Sequence, residues 1–331
     1  MSEPSQHDPG KYRLRRRWKR LRGPDGLHAL RRYAEQRADQ LLTVAWHRYG
    51  PPVRVAPFDG DPRLALVTVN FSTTRYLKLM LCTLGEQSAR WFVRHLVVVD
   101  NASRDGGPEF LRALEARVPR LHLVERRHFL SHAQGMRAGL RALATVERAE
   151  PTAERTNVVV GCDTDVVFRD DDALLGVSAQ LAAMGGVFLG EARVAPTSPY
   201  PDMQASFFAF RRDAAARRDV HPLVNHGSPA FDMQVSMVRA GLTLVDFPLH
   251  KGGYLLHRGR SGAAAAGTHH PRHSYARVTT TQPHYMGVPD GARLWAAIED
   301  RWAPLLEPAA EASLIDHLAE RFAVFGQNEA P

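Results

Sequence analysis

The chain has 331 residues, 44% hydrophobic and 24% charged, enough for one large α/β domain with extensions or for two domains, and unlike a disordered chain. Two cysteines, Cys82 and Cys162, exclude a disulfide framework, and no apolar run approaches the roughly 20 residues of a membrane-spanning helix. The formal net charge is +8, and residues 1–60 hold +7 of it (13 Lys and Arg against 6 Asp and Glu), so the basic character belongs to an N-terminal arm and not to a groove of the main body.

Residues 1–10 read as disordered. "KYRLRRRWKRLRG", 11–23, sets Tyr12, Leu14, Trp18 and Leu21 among arginines. Residues 27–50 predict a helix with Leu27, Leu30, Tyr33, Leu41 and Val44 on one stripe. The Pro-rich "PPVRVAPFDGDP", 51–62, breaks it and marks a boundary. The start of the chain has no apolar signal-type stretch, so a cytoplasmic protein is expected. The arm could contact anionic lipid through residues 11–37 or pack back on the domain; nucleic acid ranks below both, because the rest of the chain is near neutral.

From residue 64 the pattern alternates. Strands are predicted at 64–70, 95–100, 121–125 and 157–162, each a short apolar run of the kind buried on both faces. Helices are predicted at 74–90, 108–117, 132–148 and 172–184, which makes βαβ units around a mostly parallel sheet. After residue 186 the rhythm loosens. "GVFLG" and "ASFFAF" read as strands that could pair antiparallel, followed by a helix at 228–241 ending on Gly241 and a strand at 242–249. Residues 259–290, rich in Gly, Ala, His and Pro, predict a long loop, and 292–305 and 309–325 predict closing helices. The organisation is an arm and linker at 1–60, an α/β domain at 61–260, and a loop with C-terminal helices at 261–331.

"VVVGCDTDVVFRDDD", 158–172, delivers two carboxylates, Asp163 and Asp165, at the end of the fourth strand. Residues i and i+2 of a strand point the same way, so both can reach one point in space. Open α/β sheets bind ligands beyond the carboxyl ends of their strands. Two close carboxylates repel unless a cation neutralises them, and Mg²⁺ or Mn²⁺ takes carboxylates together with substrate phosphates. A solvated acidic turn is the plainer alternative; Asp170, Asp171 and Asp172 are read as such a helix start. The first strand ends in Asn70 and Thr73, the second in "VVVDNASRDGG", with Asp100 and Asn101. These can hold a base or ribose, or form an Asx-turn with a helix cap.

The order "VTVNFST … VVVDNASRDGG … VVVGCDTDVVF" resembles the family 2 glycosyltransferases of GT-A fold, from about residue 64 to 260. The resemblance implies a Rossmann-like sheet and a nucleoside-diphosphate-sugar donor. It implies a Mn²⁺ or Mg²⁺ ion on Asp163 and Asp165, with His257 of "GGYLLHRGRSG" as third ligand or diphosphate contact. His250, His269, His270 and His273 are its rivals. Nucleotide contacts are implied for Asn70, Thr73, Asp100, Asn101 and Asp163, and phosphate contacts for Arg258 and Arg260. Where the family has a Glu-Asp pair at a helix start, this chain has Phe231 and Asp232, making Asp232 the implied general base of an inverting displacement. A second departure is "SHAQG", with His132, Gln134 and Gly135 in place of the family's Asn-x-Gly. The acceptor class stays open among polysaccharides, lipids and small natural products. A nucleotidyltransferase is the competing enzyme class, disfavoured because "VNFSTTRYLK" lacks a Gly-rich loop.

Overall fold

The computed structural model describes residues 62–327 except 130, 194–199, 201, 225–228 and 270–280, together with positions 34, 37–39, 41, 42, 44–46, 48, 49 and 55. Strand β1 (Leu64–Asn70) lies near the middle of a seven-stranded sheet and is buried at every residue. It pairs in parallel with β2 (Val93–Asp100) and with β4 (Val158–Cys162), and β3 (Leu121–Glu125) pairs in parallel with β2. Beyond β4 runs β7 (Asp202–Arg211), antiparallel to both β4 and β6 (Phe188–Arg193), and β8 (Leu244–Asp246) closes the edge in parallel with β6. The strand order β3-β2-β1-β4-β7-β6-β8 is the expected mostly parallel, Rossmann-like sheet with one antiparallel strand.

Period-two alternation divides the core between the two faces. Leu64, Leu66, Leu96, Val98, Val158 and Val160 face one cluster, which includes α1 (Thr74–Gly85), α2 (Gly107–Glu115) and the closing helices α8 (Gly291–Leu306) and α9 (Glu311–Phe322). Ala65, Val67, Val69, Val97, Val99 and Val159 face the other, with α3 (His132–Val146) and α6 (Phe231–Arg239). Helix α4 (Ala173–Ala183) follows the Asp170–Asp172 turn, as predicted, and the one-turn α5 (Arg212–Ala215) follows β7.

Two expectations are corrected, and one element is added. Residues 259–290 are not one loop: α7 (Ser261–His269) occupies the start, buried through Ala263 and Ala266, and a short 3₁₀ turn spans Tyr285–Gly287. Glycines at 262 and 267 read as loop, but the alanines between them are the strongest helix formers. The strand at 242–249 pairs only over Leu244–Asp246, two residues before Pro248, which cannot donate to a ladder. A two-stranded antiparallel sheet, β5 (Val166–Phe168) with β9 (Leu255–His257), was not foreseen.

The described positions between 34 and 49 are helical. Asp39 pairs with Arg137 of α3, and Trp46 Nε1 donates to the Arg217 carbonyl at 2.9 Å, so the arm docks through this face. Leu41 and Val44, expected on the packing stripe, are 70% and 63% exposed. The basic stretch at 11–33 lies outside the described residues. No described helix is long and apolar enough to cross a membrane.

Candidate metal and nucleotide site

The small sheet explains how distant residues meet. Val166 registers with His257, and the Arg258 N–H donates to the Asp165 carbonyl at 2.9 Å. This holds His257 Nε2 at 3.0 Å from Asp165 Oδ1 and 3.8 Å from Asp163 Oδ2. One ligand atom from each of Asp163, Asp165 and His257 lies within 4.8 Å of the others. Ser261 N, at the start of α7, also donates to Asp165 Oδ2 at 3.4 Å. The Asp163 N–H donates to the Ser206 carbonyl at 2.8 Å, anchoring the turn to β7.

The electrostatics differ across the pair. Burial pushes the Asp163 carboxyl up, and His132 and His257 offset that only in part. Burial would also raise Asp165, but the His257 ring and the Ser261 hydrogen bonds outweigh it and hold the carboxyl below the usual range. Burial lowers His257, yet Asp165 and Asp163 overcome it and raise the ring above its ordinary value. Two carboxylates and one imidazole are a donor set that fits Mn²⁺, and fits Mg²⁺ less well. The second ring nitrogen of His257, Nδ1, is buried without a hydrogen-bond partner among the described residues.

The ends of β1 and β2 form a polar knot. Asn70 Nδ2 lies 3.0 Å from Asp100 Oδ2, 3.1 Å from Thr74 Oγ1 and 3.1 Å from Ser103 Oγ, while Asn70 Oδ1 accepts from Thr73 Oγ1 at 2.9 Å. The Ser103 N–H donates to Asp100 Oδ1 at 2.9 Å, a side-chain-to-backbone bond that holds the turn after β2. Asp105 reaches back to cap α1, accepting from Thr74 N and Thr74 Oγ1 at 2.8 Å each. Gly107 sits against the knot: a Cβ there would lie 2.5 Å from Thr74 Oγ1 and 2.7 Å from Asn70 Nδ2. Thr73 Oγ1 in turn pairs with Thr164 Oγ1 at 2.8 Å, tying the knot to the Asp163–Asp165 turn.

A cavity of about 370 Å³ opens over these groups. Asp163, Asp165 and His257 contribute to its lining, with Thr73 and Asn101 beside them. One side carries Phe71 and Phe129, with ring centroids 4.2 Å apart. Another carries Arg193, Arg260, His284 and the first residues of α7.

Of the residues singled out in the sequence, Thr73, Asn101, Asp163, Asp165, His257 and Arg260 line this cavity together. Asn70 and Asp100 are fully buried beneath its rim and spend their polar atoms within the knot. The Arg258 guanidinium lies 4.8 Å over the Tyr76 ring and donates to Ser261 Oγ at 3.3 Å, so it braces α7 from outside the lining. Asp232 is half-buried in the first turn of α6 and is not among the described lining residues. Gln234 ties that helix to β7, accepting from Met203 N at 2.8 Å, and the β4–β7 register carries Met203 past the carboxyl end of β4, the side of the sheet where Asp163 sits.

Among the rival histidines, His250 is buried, its Nε2 3.3 Å from Ser206 Oγ, and burial pushes it down to about 3. His269 ends α7, and His270 and His273 lie outside the described residues. Of "SHAQG", Gln134 completes a capping box with Ser131, and Gly135 packs α3 onto Val69, where a Cβ would come within 2.8 Å. His132 alone of the three turns to the cavity. Arg193 and His284 were not singled out, because neither stands in a recognisable motif.

No family model and no curated protein matches the chain. Among solved structures, it is similar to a mannosyltransferase from Pyrobaculum calidifontis in complex with GDP-Man and Mn²⁺, at 18% identity over 88% of this chain and 95% of that one, with a TM-score of 0.43. It is also similar to TarS of S. aureus (13% identity, 81% and 92% coverage, TM-score 0.39). A third is glucosyl-3-phosphoglycerate synthase from Mycobacterium tuberculosis, with Mn²⁺, uridine-diphosphate and glucosyl-3-phosphoglycerate (15% identity, 64% and 80% coverage, TM-score 0.42).

Proposed function

We propose that the chain is an inverting, metal-dependent glycosyltransferase, moving a sugar from a nucleoside-diphosphate-sugar to an acceptor hydroxyl. The observation that carries this reading is the meeting of Asp163, Asp165 and His257 within 4.8 Å on the lining of a cavity that also holds arginines and an aromatic pair. Asp163, Asp165 and His257 would hold Mn²⁺ or Mg²⁺. When bound, the cation supplies Lewis-acid stabilisation of the departing diphosphate.

The remaining groups divide the donor between them. Arg260 and Arg193 offer guanidinium donors to phosphate oxygens, beside the start of α7, whose dipole favours anions. Thr73 and Asn101 line the rim where a ribose or base would sit, and Phe71 with Phe129 gives a flat apolar wall to a nucleobase. Asn70 and Asp100 keep that rim rigid, and Arg258 steadies α7. Asp232, at the carboxyl-end side of the sheet, accepts the acceptor's proton as the anomeric carbon is attacked from the face opposite the diphosphate. This inverts the centre.

A thermal-shift screen of UDP-, GDP- and dTDP-sugars, with and without Mn²⁺, tests the reading. Stabilisation by one nucleotide class that depends on Mn²⁺ is the expected result; no Mn²⁺-dependent shift with any donor contradicts it.

One observation favours peripheral membrane contact by the same cytoplasmic enzyme. Among the described positions between 34 and 49, Leu41, Val44 and Tyr49 (76% exposed) are exposed together with Arg37 and Arg48. Exposed apolar and basic residues mixed in one short stretch suit an anionic lipid surface. Co-sedimentation with phosphatidylserine vesicles should be lost in the Leu41→Glu, Val44→Glu double variant; equal sedimentation removes the reading.

A further inference from the structure

We infer that His284 donates its Nε2–H to the sugar-bearing phosphate of the donor, as a third hydrogen-bond donor beside Arg260 and Arg193. The inference rests on the donor reading above.

His284 stands on the side of the cavity that carries both arginines, while Phe71 and Phe129 occupy a different side. Its ring meets that of His257 edge-to-face, with centroids 5.5 Å apart and planes at 82°. A nucleotide with its base on the aromatic pair and its phosphates at Asp163, Asp165 and His257 brings its last phosphate beside His284.

The backbone fixes the proton of this ring. The Met286 N–H donates to His284 Nδ1 at 3.1 Å. A ring nitrogen that accepts carries no proton, and a neutral imidazole has one N–H, so the proton sits on Nε2. Among the described residues no group accepts from Nε2.

The turn holds that orientation at a cost to its backbone. Tyr285 (φ 47°) and Met286 (φ 54°) are both left-handed without being glycine. Such residues persist where their surroundings enforce them, and they gather at ligand sites. Here His284 N and Tyr285 N donate to the Arg258 carbonyl at 3.1 and 3.2 Å, and Gly287 N donates to the His284 carbonyl at 3.0 Å. These bonds tie the turn to the residue after His257. Gly259 completes the fit: a Cβ there would lie 2.5 Å from His284 Cε1 and 2.7 Å from Cδ2, and closer still to Nε2. Similar distances to the atoms on both sides of Nε2 put the glycine under the face of the ring, which leaves the Nε2 edge open.

A neutral, fixed N–H suits this position. Negative charge grows on the diphosphate as the sugar departs, and a donor already aimed at it acts without reorganising.

The test titrates UDP, GDP and the matching monophosphates into the full chain at saturating Mn²⁺, for wild type, His284→Phe and His284→Gln. His284→Phe should weaken the diphosphate about tenfold or more and leave the monophosphate within about twofold. His284→Gln, which keeps an N–H at similar reach, should recover most of the loss. Mn²⁺ affinity measured alone should match wild type in both variants, and ¹⁵N NMR of wild type should show His284 Nδ1 unprotonated. Unchanged diphosphate affinity in His284→Phe, or an equal loss for diphosphate and monophosphate, overturns the phosphate contact and leaves the donor reading intact. A protonated Nδ1 overturns it as well. Absence of Mn²⁺-dependent nucleotide binding in wild type overturns both.

Discussion

Asp165 and His257 are 92 residues apart in sequence, yet their Oδ1 and Nε2 atoms lie 3.0 Å from each other. The contact exists because β5 and β9 pair immediately after the Asp163–Asp165 turn, with Val166 registered on His257. A three-residue ladder thus brings a weak local motif and a distant histidine into one cluster of candidate ligands.

Asp232→Asn keeps the shape of the side chain and removes its basicity. Donor affinity should be unchanged within about twofold while turnover falls roughly 10²–10⁴-fold, the usual range for a general base. Steady-state transfer assays together with calorimetric donor titration separate the two. Near-normal turnover would remove Asp232 from the chemistry.

Arg258 and Arg260 both follow His257, and the family resemblance implies phosphate contacts for both. The structure instead puts Arg260 in the cavity and lays Arg258 over Tyr76. Arg260→Ala should cost about 1.5–3 kcal/mol of nucleoside-diphosphate affinity, the scale of a charge-assisted hydrogen bond. Arg258→Ala should show most of its effect in thermal stability. Calorimetry beside thermal melts decides; the reverse ranking would return phosphate contact to Arg258.

Gly107→Ala should destabilise the fold by about 1–3 kcal/mol, because the new Cβ has no room beside Thr74 and Asn70. Asp105→Ala, which removes the cap of α1, should cost about 1 kcal/mol. Urea denaturation measures both, and a neutral Gly107→Ala would show that the knot yields easily.

At the opposite end of the sheet, His95 Nδ1 lies 3.0 Å from His122 Nε2, and His95 Nε2 lies 3.2 Å from Glu150 Oε2. Burial, His95 and Arg120 push His122 down to about 4, and burial lowers His95 against the pull of Glu150. Both rings are therefore kept neutral in the fold, while the unfolded chain takes up their protons near pH 6.5. Their contribution is full above about pH 6.5 and is lost as pH falls from there toward 4. The melting temperature should drop across that window, and His122→Asn should flatten the drop. An unchanged slope in the variant would contradict this.

Much of the fold is legible in the sequence for one physical reason. β1, β2 and β4 are buried on both faces, so they appear as unbroken apolar runs that resemble little else. Short elements held by tertiary contacts leave no such trace: β5 and β9 have three residues each, and α7 packs through alanines between glycines. In the site, Asp163, Asp165 and Thr73 stand directly after predicted strands, where ligands are expected, and His257 came only from the family resemblance. Asn70 and Asp100 end their strands, but their burial assigns them to holding the rim. Arg193 and His284 come from segments whose neighbourhood only the folded chain defines.

The most direct test is a calorimetric titration of UDP and GDP into the wild-type chain and into Asp163→Asn, each with and without Mn²⁺. One nucleotide should bind wild type tightly only when Mn²⁺ is present, and the variant should lose that dependence together with most of the affinity. Equal binding by both proteins, indifferent to Mn²⁺, would contradict a cation held by these carboxylates.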